Sequence, residues 1–253
     1  MAFYDLSKAE RIKLVEKITN EIREDLSQGK LEKILHYFSD EDTYIRKSGY
    51  LAIGKIYKSN ESLQKPILET LKKLADSDDE KVRQTSVNAA GEIGLVNFEV
   101  VQGFFDNGLF DEHHSVRNAV IGSIKKMGQK NPKPVLNWVK FYLKHHDKEI
   151  RREICHGIEL RGRTHPQDIL PLLEKLQHDE TARVRNTLVH VLGQIAYKKG
   201  CLETVVSALN KWDNKELVTD ALDEIVDVHH RYKDFSILTQ KEAIDYIDQN
   251  YTG

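Results

Sequence analysis

The feature that most constrains this chain is a short signature that returns in phase: an Asp, a few polar residues, then Val or Ile followed by Arg. It reads DEDTYIR ending at Arg46, DDEKVR at Arg83, DEHHSVR at Arg117, DKEIR at Arg151 and DETARVR at Arg185. The arginines are 37, 34, 34 and 34 residues apart. A further step of 34 lands on Thr219 in DNKELVT, where Asp213 and Val218 keep the pattern and the arginine is lost. A period of this size means stacked supersecondary units rather than one closed core.

The residues around each anchor recur with a helical period. One before it stand Ile45, Val82, Val116, Ile150, Val184 and Val218; seven after it stand Ile53, Ala90, Ile124, Ile158, Leu192 and Val226. Val120, Ile154, Leu188 and Leu222 complete one apolar helix face. Ahead of the anchors lie other apolar stretches, such as SLQKPILETLKKLA, KPVLNWVKFYLKHH, QDILPLLEKLQHD and LETVVSALNKW. Each unit is thus helix, polar turn, helix, and neither helix hides its stripe without a neighbouring unit. The turn Asp is placed to cap the second helix, and the Arg to reach the Asp of an adjacent repeat, so both read as structural. At the ends, Ser7-Lys8-Ala9-Glu10 is a capping box opening a helix to about Gln28, and Thr239-Gln240-Lys241-Glu242 opens a last short helix.

This pattern resembles the HEAT family over residues 31–232. Tetratricopeptide repeats share the period, but their Trp, Gly, Tyr, Ala and Pro pattern is not found. The resemblance implies an all-α, right-handed α-α superhelix (an armadillo-like solenoid) of about six helix pairs. It would form one domain over residues 1–253, with capping helices in 1–30 and 233–253. A stretch of short-repeat character, DDEKVRQTSVNAAGEIG, is also similar to HEAT proteins of the chromophore-lyase type.

Charge is uneven. Residues 125–163 carry 11 Lys/Arg against 4 Asp/Glu, a formal +7 between flanks of −4 and −5. This is either clustering on solvated faces or an anion-binding surface. In HEAT-like solenoids the second helices line the concave surface, reached one, five, eight and twelve residues after the anchor. There stand Gln84 and Asn88, then Asn118, Lys125 and Gln129, then Arg152, His156, Glu159 and Arg163. Asn186, His190 and Tyr197 follow, and the sixth repeat turns acidic with Asp220, Glu224 and Asp227. Ten residues after the anchor stand Ile56, Ile93, Met127 and Ile195, with His229 in the sixth repeat, but the fourth has Arg161. Either that cation is paired or reaches solvent, or the helix ends early at Gly157 or Gly162 and leaves it in a loop.

Residues 150–195 carry a narrower resemblance, to the HEAT-like DNA alkylation repair proteins, through Arg151-Arg152, Gly157, Arg161/Arg163, a proline and ILPLLEKL…D…VR. It implies a groove that holds duplex DNA by its backbone, with Arg151 or Arg152 as the groove arginine. The catalytic pattern of that family is not met. SVRNAVIGSIKKMG lacks its Trp and Asp, and His190 stands where a catalytic member carries an aromatic.

The expected function is therefore non-catalytic binding. Lys125, Arg151, Arg152, His156, Arg161, Arg163, Asn186 and His190 would contact duplex DNA or another anionic macromolecule. The alternatives are a protein–protein scaffold and a DNA glycosylase excising cationic alkylpurines. No catalytic residue, cofactor or metal is expected. His113-His114, His145-His146 and His229-His230 are adjacent rather than three or four apart, and read as surface residues. Trp138, Trp212 and Cys155 read as packing residues. Cys155 and Cys201 lack metal-ligand spacing, no apolar run reaches membrane-spanning length, and MAFYDLSKAERIKL lacks signal-peptide order. A reducing, cytoplasmic location is expected, with no membrane partner.

Overall fold

The computed structural model describes residues 2–253. Helices are the only extended elements among them, and no helix is long and apolar enough to cross a membrane. The chain divides into two compact units, one ending at Asn131 and one running from Pro132 to Gly253.

The first unit begins with α1 (Lys8–Gln28), opened by the expected Ser7/Glu10 capping box and closed by Gly29 at φ 66°. Only a residue without a Cβ turns the chain there without strain. Three helix pairs follow: α2 (Glu32–Phe38) with α3 (Thr43–Ser59), α4 (Gln64–Ala75) with α5 (Glu80–Gly94), and α6 (Gln102–Gly108) with α7 (His114–Lys130). In the second unit, α8 (Pro132–Tyr142) pairs with α9 (Lys148–Gly157), which is continued after a break by α10 (Glu159–Gly162). Next come α11 (Pro166–Leu173) with α12 (Ala182–Gln194), and α13 (Cys201–Leu209) with α14 (Lys215–Arg231). The unit closes with α15 (Gln240–Asn250), capped by Thr239 and Glu242. Second helices pack side by side, α3 on α5 on α7 in the first unit and α9 on α12 on α14 in the second.

The apolar stripe is buried as the period requires: Val82, Val116, Ile150, Val184 and Val218 are inside, as are Ile53, Ala90, Ile124, Ile158 and Leu192. Two positions differ. Ile45 and Val226 are only half-buried. In α14 the N-cap is Asn214, four residues before Val218, so the helix face is turned by one position and Ile225 takes the buried place. Trp138, Trp212 and Cys155 are buried as expected. His229 is also fully buried, correcting its reading as a surface residue. It lies on the core side of α14, where Nδ1 faces the Ile225 carbonyl at 2.8 Å.

The repeating arginine is a turn lock. In each case Nη1 donates to carbonyls five or six residues earlier: Arg46 to Asp40 and Glu41, Arg83 to Ser77 and Asp78, Arg117 to Asp111 and Glu112, Arg151 to His145 and His146, Arg185 to Asp179. In the sixth repeat, where the arginine is lost, Gln177 does this work. Its Oε1 accepts from the N–H groups of Asp213 and Asn214, and Asn214 Nδ2 donates to its carbonyl.

The aspartates split into two roles. Asp42, Asp79 and Asp147 cap their helices by accepting from the N–H two residues on. Asp111 and Asp179 do not cap. Each takes the arginine of the preceding repeat in a two-bond pair, Arg83–Asp111 at 2.8 and 3.0 Å and Arg151–Asp179 at 2.5 and 3.0 Å. His113 caps α7 instead.

Candidate binding surface

The α9–α10 break shapes the second unit's second-helix face. At Ile158 the backbone (φ −91°, ψ −6°) leaves the helix for one residue. Glu159 then turns inward, and its side chain is only 4% exposed. It accepts from Arg163 Nη2 at 2.5 Å through Oε1 and lies 3.1 Å from His156 Nε2 through Oε2. The same Arg163 nitrogen donates to Gln194 Oε1 at 2.8 Å. His190, on α12, places its ring centroid 6.2 Å from that of His156, and its Nδ1 stands 3.5 Å from Glu224 Oε1 on α14.

Arg152 completes this face. Its Nε donates to Glu149 at 2.9 Å and its Nη2 to Glu153 at 3.4 Å. Glu149 also accepts from Arg183 of the next repeat at 3.1 Å. Arg231 holds Glu224 and Asp227, each at 2.6 Å.

The structure therefore gathers four of the eight residues singled out from sequence, Arg152, His156, Arg163 and His190. Asn186 is exposed on α12, the helix of His190. Arg151 points the other way, into the turn it locks. Arg161 is tied to Asp168 in the first turn of α11, with Nε and Nη2 at 2.8 and 2.5 Å from Oδ2. Of the two alternatives for Arg161, the paired cation holds; the helix does break at Gly157, but Arg161 lies in the short α10 that follows rather than in a loop. Lys125 stands half-buried on α7 of the first unit.

The fold has relatives among solved structures. AlkD2 from Streptococcus mutans matches with a TM-score of 0.55 at 19% identity, over 79% of this chain and 97% of its own. The fold is HEAT-like. Yeast importin-beta (TM-score 0.46, 16% identity, 88% of this chain and 34% of its own) also aligns, though too loosely to carry an argument. So does the archaeal HEAT-like repeats protein of Thermococcus onnurineus NA1 (TM-score 0.40, 16% identity, 88% and 98%). No described family matches the sequence, and no curated protein does.

On this HEAT-like frame, the basic segment is divided between two helix layers. Of the basic 125–163 segment, Lys133, Lys140 and Lys144 lie exposed on or just after α8, in the first-helix layer. The arginines of α9 and α10 lie in the second-helix layer and are bonded to carboxylates. Sequence reading picked the arginines and missed Glu149 and Glu153 as partners, although the three-residue spacing of Glu149 from Arg152 was a signal. It also placed the position eight residues after each anchor on the open face. Gly54, Gly91, Glu159 and Gly193 occupy it in four repeats and are buried in the seam between second helices, whereas Lys125 is half-buried and Asp227 exposed.

In the ladder pairs, burial raises the Asp111 and Asp179 carboxyls. The bonds from Arg83 and Arg151 and from backbone N–H groups outweigh it, leaving both below the ordinary value. Burial pushes the Cys155 thiol up, which keeps it protonated and inert. A cleft of 440 Å³ opens in the first unit beside Val87, Val100, Phe104 and Asn107. The Arg83–Asp111 pair lines it, and none of the eight singled-out residues does.

Proposed function

We propose that this chain is a non-catalytic binding module that holds a protein partner on the second-helix face of its second unit. The observation that carries this reading is the charge balance of that face. Arg152, Arg163, Arg183 and Arg231 are set against Glu149, Glu153, Glu159, Glu224 and Asp227, four cations facing five carboxylates within bonding distance. Polyanion binding draws its affinity from uncompensated cations that displace counterions. Arginines already neutralised by neighbouring carboxylates supply little of that. A fixed pattern of alternating charge, with imidazoles and an amide between, instead matches a partner of complementary pattern and rejects others.

A second reading is nucleic-acid backbone as the ligand. The resemblance of residues 150–195 to DNA alkylation repair proteins favours it, with Arg152 and Arg163 as phosphate contacts. One experiment separates the two. The tagged chain is used to capture partners with and without nuclease, and labelled duplex DNA is titrated from about 50 to 200 mM salt. We expect a polypeptide retained after nuclease and lost from Arg152→Glu/Arg163→Glu. Duplex affinity that falls steeply with salt and vanishes in that variant would overturn the protein reading in favour of DNA.

A further inference from the structure

The residues His156, Glu159 and His190 come together for a reason the arginines do not supply. His156 and His190 stand 34 residues apart, at the same place in consecutive repeats, and the next step of 34 is Glu224. Stacking second helices turns that spacing into a row of neighbours. Glu159, three residues after His156, closes on it across the α9–α10 break. One ligand atom from each of His156, Glu159 and His190 lies within 4.8 Å of the other two.

We propose that these three side chains bind one divalent transition-metal ion of the zinc class. Two imidazole nitrogens and one carboxylate oxygen are the donors that borderline dications prefer over Mg²⁺ or Ca²⁺. Around a tetrahedral ion with bonds of about 2.0–2.1 Å, ligand atoms stand about 3.3 Å apart. His156 Nε2 and Glu159 Oε2 already meet that spacing at 3.1 Å. His190, whose ligand atom lies within 4.8 Å of the other two, has at most about 1.5 Å to close, and its side chain, 45% exposed, has room to turn.

The surroundings match what ligating residues need. Glu224 Oε1 stands 3.5 Å from His190 Nδ1, the side on which a carboxylate orients a metal-bound imidazole. Arg163 holds Glu159 by Oε1, and Oε2 is the oxygen that faces His156 Nε2. Gln194 beside it is 1% exposed, and its Nε2 has no acceptor among the described residues. A water or anion in the ion's fourth position is an acceptor of the kind that donor lacks. The expectation of no metal came from the three adjacent histidine pairs and from the spacing of Cys155 and Cys201, and none of those residues contributes here. Three protein ligands and one exchangeable position make this an open site rather than a closed structural one.

The test uses the full chain, stripped with chelator and titrated with Zn²⁺ by calorimetry, and with Co²⁺ followed by visible absorption. We expect one saturable site. Affinity should fall at least tenfold in His156→Ala and in His190→Ala, and the Co²⁺ band should be lost in both. His145→Ala/His146→Ala should bind as the wild type does. Both imidazoles are 40% exposed or more, so the alanine variants should keep the parent's helical circular dichroism and metal-free melting temperature. Glu159→Gln is a third variant that keeps the shape while weakening the donor. Absence of saturable Zn²⁺ binding by the wild type, or unchanged affinity in both histidine variants, would overturn the proposal.

Discussion

Arg151 and Arg152 are neighbours in sequence with opposite fates. Arg151 spends its guanidinium on two turn carbonyls and on Asp179, whose side chain is 5% exposed. Arg152 pairs with Glu149 and Glu153 on an open face. Removing Arg151 strands a buried carboxylate, which costs about 3–5 kcal/mol. Removing Arg152 costs about 1 kcal/mol or less. Urea midpoints of Arg151→Ala and Arg152→Ala should differ accordingly, and equal losses would refute the turn-lock assignment. The pH dependence has a definite sign. Asp179 is depressed in the fold, so its contribution is complete above the unfolded carboxyl value of about 3.9 and is lost as pH falls through the folded pKa. The wild-type midpoint should therefore drop steeply in that acid range, and Arg151→Ala should drop less. Sequence made the arginine legible as structural, because it recurs in phase. It did not show which Asp caps and which pairs, because that depends on whether the cap position two residues on is itself Asp, as at 42, or His or Thr, as at 113 and 181.

Helix pairing was written in the period, and helix separation was written in the glycines. Gly91 on α5 faces Ser123 on α7: a Cβ there would lie 2.4 Å from Ser123 Oγ and 2.8 Å from its Cβ. A Gly193 Cβ on α12 would meet Glu224 Cγ of α14 at 2.6 Å. These second helices touch almost backbone to side chain, and a methyl group forces them apart. Gly91→Ala should destabilise by about 1–3 kcal/mol through overpacking. The double variant Gly91→Ala/Ser123→Gly moves the missing Cβ to the other helix and should recover most of the loss. Thermal melts of the two variants check this, and a double variant no better than the single would show that the seam is not set by that contact. Sequence periodicity assigned the position eight after the anchor to the open face, without naming these glycines, because an ideal helix wheel counts residues without knowing how closely the next helix sits. The same position holds Glu159 in the fourth repeat, where α9 stops at Gly157 and the side chain turns inward. The break was legible as a rule violation at Arg161. The inward turn of Glu159, and with it the His156–Glu159–His190 cluster, was not, since it follows from the break and from the neighbouring repeat together.

At the scale of the molecule, the 34-residue phase runs from Arg83 through Arg117, Arg151 and Arg185 without a missed step. It passes through Asn131 and Pro132, where the chain divides into its two compact units. In repeat proteins stability is carried by each repeat and by its interface with the next, so an unbroken phase predicts coupled neighbours throughout. We therefore propose that residues 1–253 behave as one cooperative domain. The placement of the tryptophans makes this measurable: Trp138 and Trp212, the only two in the chain, both lie in the second unit and are buried. Tryptophan fluorescence then reports the unfolding of that unit alone, whereas far-ultraviolet circular dichroism reports helices of both. Under a single cooperative transition the two urea curves coincide in midpoint and slope. If the fluorescence curve separates from the dichroism curve, the units unfold independently and the phase reflects repeated ancestry of the sequence rather than energetic continuity along the chain.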